Sequence, residues 1–464
     1  MLNQQLVLLN GLGTEDKDLV PLLDILIDEI HSTGATVQTY TLQNIKMGSC
    51  VGCFGCWLKT PGICLEPDVG RDIAQAVVQS DTTILLTPVT FGGYSSEIKK
   101  IQDRWLPLLL PYFGIYHGEV HHPPRYSRNP RLVGIGIQRQ SNNEEANLFK
   151  ILVGRNAINL HSPNHAAAVV LSTDVPERLR QQFQDAFVRN DAIPLGKSLT
   201  SLMPVLETSG SSSPTMGKPG RALLIVGSPK VKSLSTSSIL GGYVLEQLKQ
   251  RDWEVESITL RENLLKGEGQ AEFLASVQRA DLLLLAFPLY VDALPFLMTK
   301  ALEVIAANIS SQPHGIPKRL FVICNNGFPE AHHNAVALAI CQRFAVDTSM
   351  IWSGGLAMGA GEVLCGGLPL KSVQRGGRPP VQHVIKALDK ASAALAEWKT
   401  VPSEATRLMA KTPIPFMPFS IWRWIFVKMA QQYWQKQAAT NQVSKEEILA
   451  RPYTEVETTD TPVR

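Results

Sequence analysis

Residues 221–238, RALLIVGSPKVKSLSTSS, decide how the chain is read. The unbroken apolar run Ala222–Val226 does not alternate with polar residues, so both its faces must be buried. That is the habit of strands in parallel sheets covered by helices. The run stops at Gly227 and Ser228, and small hydroxyl residues lead into an amphipathic pattern from Ser237 to Arg251. A turn from a first strand into a first helix gathers backbone N–H groups under a helix dipole that attracts an anion. Ser228, Ser233, Ser235 and Thr236 add hydroxyls there, and Lys230 and Lys232 add positive charge. The plain alternative is a strand-to-helix turn with an N-cap serine. Its place after the first strand favours a phosphorylated cofactor, flavin mononucleotide being one that fits.

Outward from this stretch, the same order of elements occurs twice. In the first half the apolar runs are LVLLN, TVQTYT, TTILLT, RLVGIGI and AAAVVLS. Helical patterns over Asp18–His31, Asp72–Gln79, Ser95–Leu110, Glu144–Asn159 and Pro176–Arg189 separate or follow them. In the second half the runs are RALLIVG, EVESITL, DLLLLAF, RLFVICN and a weak strand near Trp352. Their helices are expected over Ser237–Arg251, Ala271–Ala280, Pro295–Asn308, Glu330–Phe344 and Val381–Trp398. The expected fold class is α/β, with two doubly wound flavodoxin-like domains, each a five-stranded parallel sheet of order 2-1-3-4-5. Residues 1–200 would form the first, 206–220 a Ser/Gly/Pro-rich linker, 221–400 the second, and 401–464 a helical tail that frays from about Ser444. The duplication is one of topology rather than residue identity.

A length of 464 residues suits two cores rather than one, and 44% apolar with 18% charged residues excludes wholesale disorder. A net charge of +3 without basic clusters argues against a nucleic-acid surface. The first residues lack a basic signal-peptide start, and the longest apolar stretch, Asp281–Leu297, is interrupted by Pro288, Asp292 and Pro295. The expectation is a cytoplasmic protein with no transmembrane segment, whose cysteines stay reduced. The tail sequence PIPFMPFSIWRWIFVKMAQQYWQKQ places aromatics at helical spacing among Arg423, Lys428 and Lys436. Packing over a domain or into a dimer groove is the first reading, and peripheral membrane contact the second.

After the third strand of each half comes a loop with proline and then an aromatic, TPVTFGGYSS and FPLYVDALP. Thr87, Pro88, Phe91, Gly92 and Gly93 in the first, and Pro288, Leu289, Tyr290, Val291 and Asp292 in the second, can set backbone groups and a ring against a flat heterocycle. Asn326 and Gly327 follow the fourth strand of the second half on the same rim. The first-half loop Asn10–Asp16 has glycines but also Glu15 and Asp16, which oppose a phosphate. Cys50, Cys53, Cys56 and Cys64 share one loop after the second strand. Three thiols at intervals of three plus a fourth suit a [4Fe–4S] cluster. Zinc, or thiols without metal, remain alternatives. His121, His122 and Tyr126 lie on another rim loop, and His332 and His333 are read as surface residues.

On GSCVGCFGCWLKTPGIC, TPVTFGGYSSEIKKIQDR and GEVHHPPRY in one half, and GSPKVKSLSTSS, FPLYVDALP and NNGFPEAHHN in the other, the sequence resembles the NADPH-dependent FMN reductase and iron–sulfur flavoprotein superfamily. The resemblance implies bound FMN, NAD(P)H as reductant, and flavins near a subunit interface. It puts the FMN phosphate at Gly227, Ser228 and Ser233–Thr236, flavin contacts at Pro288–Asp292, Asn326 and Gly327, and a corresponding loop at Thr87–Ser95. The function so implied is an oxidoreductase passing electrons to a quinone, a flavin, a metal ion or an internal iron–sulfur centre, with no catalytic side chain required. The alternatives are an electron carrier or redox sensor, and a degenerate scaffold. The two halves are expected to pack as an internal pseudo-dimer, with the cysteine loop of one facing the flavin of the other; further homo-oligomerisation stays open.

Overall fold

The computed structural model describes residues 2–196, 199, 218–230, 234–309, 317–365, 368–370, 381–414 and 416–454. The first domain contains β1 (Gln5–Asn10), β2 (Thr36–Thr41), β3 (Thr82–Pro88), the short β4 (Gly114–Tyr116) and β5 (Glu119–His121), β6 (Arg131–Gln138) and β7 (His165–Leu171). The second contains β8 (Arg221–Val226), β9 (Glu254–Thr259), β10 (Leu282–Pro288), β11 (Arg319–Asn325) and β12 (Ile351–Met358). The sheets run β2-β1-β3-β6-β7 and β12-β11-β10-β8-β9, all pairs parallel, so each is 2-1-3-4-5 within its domain. Both domains are flavodoxin-like, as the apolar runs predict. The expected linker falls almost wholly outside the described residues.

Each sheet is covered on both faces. On the outer face of the first, helices Val20–Ser32 and Pro176–Val188 bury Leu26, Ile30 and Phe183 against Leu8, Ile84 and Ile135. On the inner face, helices Ser96–Gln102 and Asn143–Asn159 meet Phe296–Ile309 and Ala335–Asp347 of the second domain in one shared core. Its contacts follow a two-fold pattern. The N–H of Phe296 donates to Asp103 Oδ2 at 2.7 Å, and the N–H of Ser96 donates to Glu303 Oε1 at 2.7 Å. Each interface helix is thus capped at its N-terminus by a carboxylate of the other domain's equivalent helix. Ser96 and Phe296, like Asp103 and Glu303, stand 200 positions apart. The halves therefore form a pseudo-dimer within one chain.

Three expectations need correction. The helix predicted over Ser95–Leu110 ends at Gln102 and gives way to a 3₁₀ turn, Leu106–Leu108, because Pro107 cannot continue an α-helix. The weak strand near Trp352 is a full eight-residue edge strand, whose register shifts between Leu320 and Phe321. Residues 444–454 are ordered rather than frayed: Lys445–Ile448 is a helical turn closed by a Ser444–Glu447 capping box, with Ile448 and Tyr453 buried. The β4–β5 hairpin has no counterpart in the predicted elements.

Candidate functional site

The two strand-to-helix loops share a scaffold and differ in chemistry. After β1, the N–H of Leu12 donates to Asn10 Oδ1 at 3.1 Å and the N–H of Gly13 to Asp16 Oδ2 at 2.8 Å. Arg139 holds Asp16 and Asp18 from outside. A carboxylate of the chain itself therefore sits where a phosphate would meet these amides. After β8, Ser235 caps helix Thr236–Lys249 by accepting from the N–H of Ser238 at 3.0 Å, with Ser238 returning the bond to the N–H of Ser235. Ser228, Ser235, Thr236 and Ser237 are all buried at this turn. Ser237 donates to Asn325 Oδ1 at 2.8 Å, tying the turn to the end of β11. Lys230 pairs with Glu362 at 3.1 Å. Ser233 and Lys232 lie outside the described residues. Among the described residues no carboxylate is bonded to the amides of this second loop; the N–H of Gly227 goes to Ala286 O and that of Ser235 to Ser238 Oγ.

The loops after β3 and β10 are matching tight turns, closed by the bridges Thr90–Gly93 and Tyr290–Ala293. Phe91, Val291 and Asp292 adopt positive φ, of 53°, 50° and 55°. Their surroundings differ. Thr87 Oγ1 and Ser95 Oγ bond each other at 3.1 Å, Phe91 stacks edge-on against Phe344 at 5.2 Å, and Leu148 and Ile340 press on Gly92 and Gly93. The first-domain loop is thus committed to the interface. Asp292 is committed likewise: its carboxylate meets Arg155 Nε at 3.4 Å and accepts from Asn159 Nδ2. Asn326 braces its own loop, donating to Glu330 O and accepting from the N–H of Phe328. A Cβ on Gly327 would meet nothing within 4 Å, so that position faces open space. Pro288, Leu289, Tyr290 and Gly327 remain on the rim beside the hydroxyl-lined turn.

The cysteine loop reaches this rim from the other domain. Gly52 takes φ of 63°, and a Cβ there would stand 2.6 Å from Tyr290 Oη and 3.6 Å from Pro229 Cγ. The loop is pinned at several points. Trp57 Nε1 donates to Leu109 O at 2.9 Å, and Arg71 Nε donates to Cys64 O at 2.8 Å. Arg104 bonds Asp68 at 2.6 Å, and Pro452 of the chain end fills the space over Gly62, whose φ is 86°. Burial pushes the Cys50 thiol up to about 12, and neighbouring thiols add to the rise. Burial first, and then the charges of Cys50, Cys64 and Cys53, likewise push Cys56 well up. Cys50 and Cys56 thus resist becoming thiolates unless a cation offsets the charge.

Four thiolates on one loop could hold zinc or an iron–sulfur cluster. A zinc tetrahedron needs sulfurs about 3.8 Å apart, given Zn–S bonds of about 2.3 Å. Among the described residues the one group of three ligand atoms within 4.8 Å of one another is Glu119, His332 and His333. No three of the described cysteine sulfurs are gathered as tightly as that. The Glu119 group is already occupied by a protein cation: Arg155 bonds Glu119 at 2.5 Å and His333 Nδ1 at 2.8 Å.

That buried network was not foreseen. Arg155, on helix Asn143–Asn159, joins Glu119 and His333 to Asp292 across the domain interface, and His121 Nε2 lies 3.4 Å from Glu119. His333 is 1% exposed, which corrects its reading as a surface residue; His332 is half-buried. Burial and the Arg155 charge hold His333 well below the usual imidazole range. His122 Nδ1 donates to Tyr112 O at 2.8 Å and the ring packs between Trp57 and Phe113, and burial lowers its pKa to about 4. Tyr126 is buried beside the chain end. A charged residue inside the apolar helix LFKILVGRNAIN was the signal available in the sequence for Arg155.

Comparison with known proteins finds partial matches to iron–sulfur flavoproteins. The chain is 30% identical over 86 residues to an iron–sulfur flavoprotein from Archaeoglobus fulgidus, covering 18% of this chain and 38% of that protein. It is also 30% identical over 86 residues to one from Methanocaldococcus jannaschii, covering 44% of it. The chain therefore matches less than half the length of these relatives. A putative quinone reductase from Klebsiella pneumoniae superposes with a TM-score of 0.32 at 13% identity, covering 41% of this chain and 88% of that one. No family model matches the chain. The resemblance to iron–sulfur flavoproteins thus holds over part of the sequence. No helix among the described residues is long and apolar enough to cross a membrane.

Proposed function

We propose that the protein is an FMN-dependent NAD(P)H oxidoreductase whose flavin is held by the second domain and whose cysteine loop, in the first, holds a [4Fe–4S] cluster beside it. The observation that carries this reading is the seating of Gly52 against Tyr290 and Pro229, which sets the cysteines at the mouth of the other domain's hydroxyl-lined turn. Bound FMN would supply hydride acceptance and one- or two-electron donation, and the cluster one-electron relay.

The chain's own residues have positioning roles. Ser228 and Thr236 would offer donors to a phosphate at a helix N-terminus, while Gly227, whose N–H goes to Ala286 O, and Ser235, whose N–H goes to Ser238 Oγ, shape the turn. Pro288–Val291 shape the wall for the ring system, and Tyr290 separates it from the thiols. Cys50, Cys53, Cys56 and Cys64 are the metal ligands. Asp16 excludes a second phosphate from the first domain by lying in its amides. Electrons would leave to a quinone, a free flavin or a metal ion.

Anaerobically purified protein tests the reading. It should show the two-banded absorption of an oxidised flavin, bind about four irons per chain after reconstitution, and oxidise NAD(P)H steadily with added quinone. Flavin and iron without turnover would identify an electron carrier instead. A colourless protein that stays so after adding FMN, iron and sulfide would leave only the scaffold.

A further inference from the structure

The helix Phe419–Thr440 has two apolar faces. One is spent on the protein: Trp422, Phe426, Ala430, Trp434 and Ala438 point inward. Trp434 meets Trp57 edge-on at 4.9 Å and Phe54 at 5.3 Å, which seats the helix on the cysteine loop. On the N-terminal half, the opposite face carries Ile421 at 48% exposure and Trp424 at 57%, followed by exposed Lys428 one turn on. Lys428 Nζ lies 3.8 Å from the Trp424 ring centre. In the turn before the helix, Phe416 is fully exposed with φ of 60°, and Phe419 is 40% exposed. Large aromatics held outward in this number need an apolar neighbour.

Charge identifies the neighbour. From Ala405 to Lys445 the sequence contains Arg407, Lys411, Arg423, Lys428, Lys436 and Lys445 and no Asp or Glu. Arg423 is used internally, donating to Gly118 O. Lys411, Lys428 and Lys436 are exposed. With a total charge of only +3, the remainder of the chain is net negative, so the positive charge is concentrated beside the exposed aromatics. A second copy of the chain is a poor occupant, because a two-fold contact across this face would bring the same lysines together. Aromatic rings flanked by lysines fit the headgroup level of a bilayer bearing anionic lipid. We propose that Phe416, Phe419, Ile421 and Trp424, with Lys411 and Lys428, form a surface that docks the protein peripherally on an anionic lipid bilayer, with the helix in the interface plane.

Flotation of the full-length chain with vesicles of phosphatidylcholine and phosphatidylglycerol, in a roughly 7:3 ratio, tests this against vesicles of phosphatidylcholine alone. The protein should float with the anionic vesicles at low salt and be released at high salt, and its tryptophan emission should shift to the blue on binding. Phe416→Ser with Trp424→Ser should lower the partition coefficient by on the order of tenfold per residue. Lys411→Gln and Lys428→Gln should each lower it about fivefold. Absence of flotation with anionic vesicles, or flotation that the serine variants leave unchanged, overturns the proposal. So does self-association in light scattering that Trp424→Ser abolishes, which would make the face a contact between copies.

Discussion

The loop after β1 and the loop after β8 occupy equivalent places in two copies of one fold, yet one closes on a carboxylate and the other on a hydroxyl. Asp16 accepts the N–H of Gly13 in the first domain, whereas Ser235 accepts the N–H of Ser238 in the second. Away from the loops the copies keep their symmetry, down to the reciprocal caps of Asp103 on Phe296 and Glu303 on Ser96. Tandem domains can thus hold their mutual interface fixed while dividing the ligand work. In the proposed reading one domain fills its own anion site and contributes a cysteine loop, while the other keeps its anion site and receives that loop.

The interface is where the comparison breaks hardest. Arg155 neutralises Glu119 and Asp292 together with no exposure of its own side chain. Arg155→Met should destabilise the chain by about 3–5 kcal/mol in denaturant unfolding, because two buried carboxylates lose their cation. Asp292→Asn in the same background should recover part of that loss.

Acid should break it next, on the cysteine-loop side. His122 titrates near 4 when folded and near 6.5 when not, so the folded state excludes a proton the unfolded state takes up. Its contribution is whole above pH 6.5 and is lost progressively as pH falls toward 4, by up to about 3 kcal/mol. His122→Asn, which keeps a donor for Tyr112 O, should flatten that part of the stability–pH curve, and an unchanged curve would contradict the assignment.

The loops themselves give a sharper contrast. Ser235→Asp preserves a helix cap but places a charge against the phosphate, and should weaken FMN binding by one to two orders of magnitude. Asp16→Asn in the first domain should leave FMN affinity unchanged. The smallest effect belongs to the Glu303 cap. Glu303→Gln should cost about 1 kcal/mol, whereas Asp103→Asn should cost more, because it also deprives the buried Lys99 of its carboxylate.

How much of this was legible in the sequence follows from the distance over which each signal acts. Runs such as DLLLLAF and RLFVICN announce doubly buried strands because strand burial is local, and both sheets have the predicted order. Asp16 reads as hostile to phosphate because its charge lies within the loop it affects. The Arg155–Asp292 pair, 137 residues apart, carries no local mark beyond a charge among apolar helix residues. His333 reads as surface because the His121 and Arg155 side chains that cover it come from elsewhere in the chain. The tail's aromatic stripe is visible in the sequence. Which residues of it turn inward is not, because Trp422 and Trp424 differ only in what the first domain and cysteine loop present to them.

Flavin stoichiometry tests the division of labour most directly. Titration of the flavin-free protein with FMN, followed by quenching of flavin fluorescence, should saturate at about one FMN per chain, with that site lost in Ser235→Asp. Saturation at two per chain, or one FMN that survives Ser235→Asp and disappears on altering the Asn10–Asp16 loop, would contradict the account.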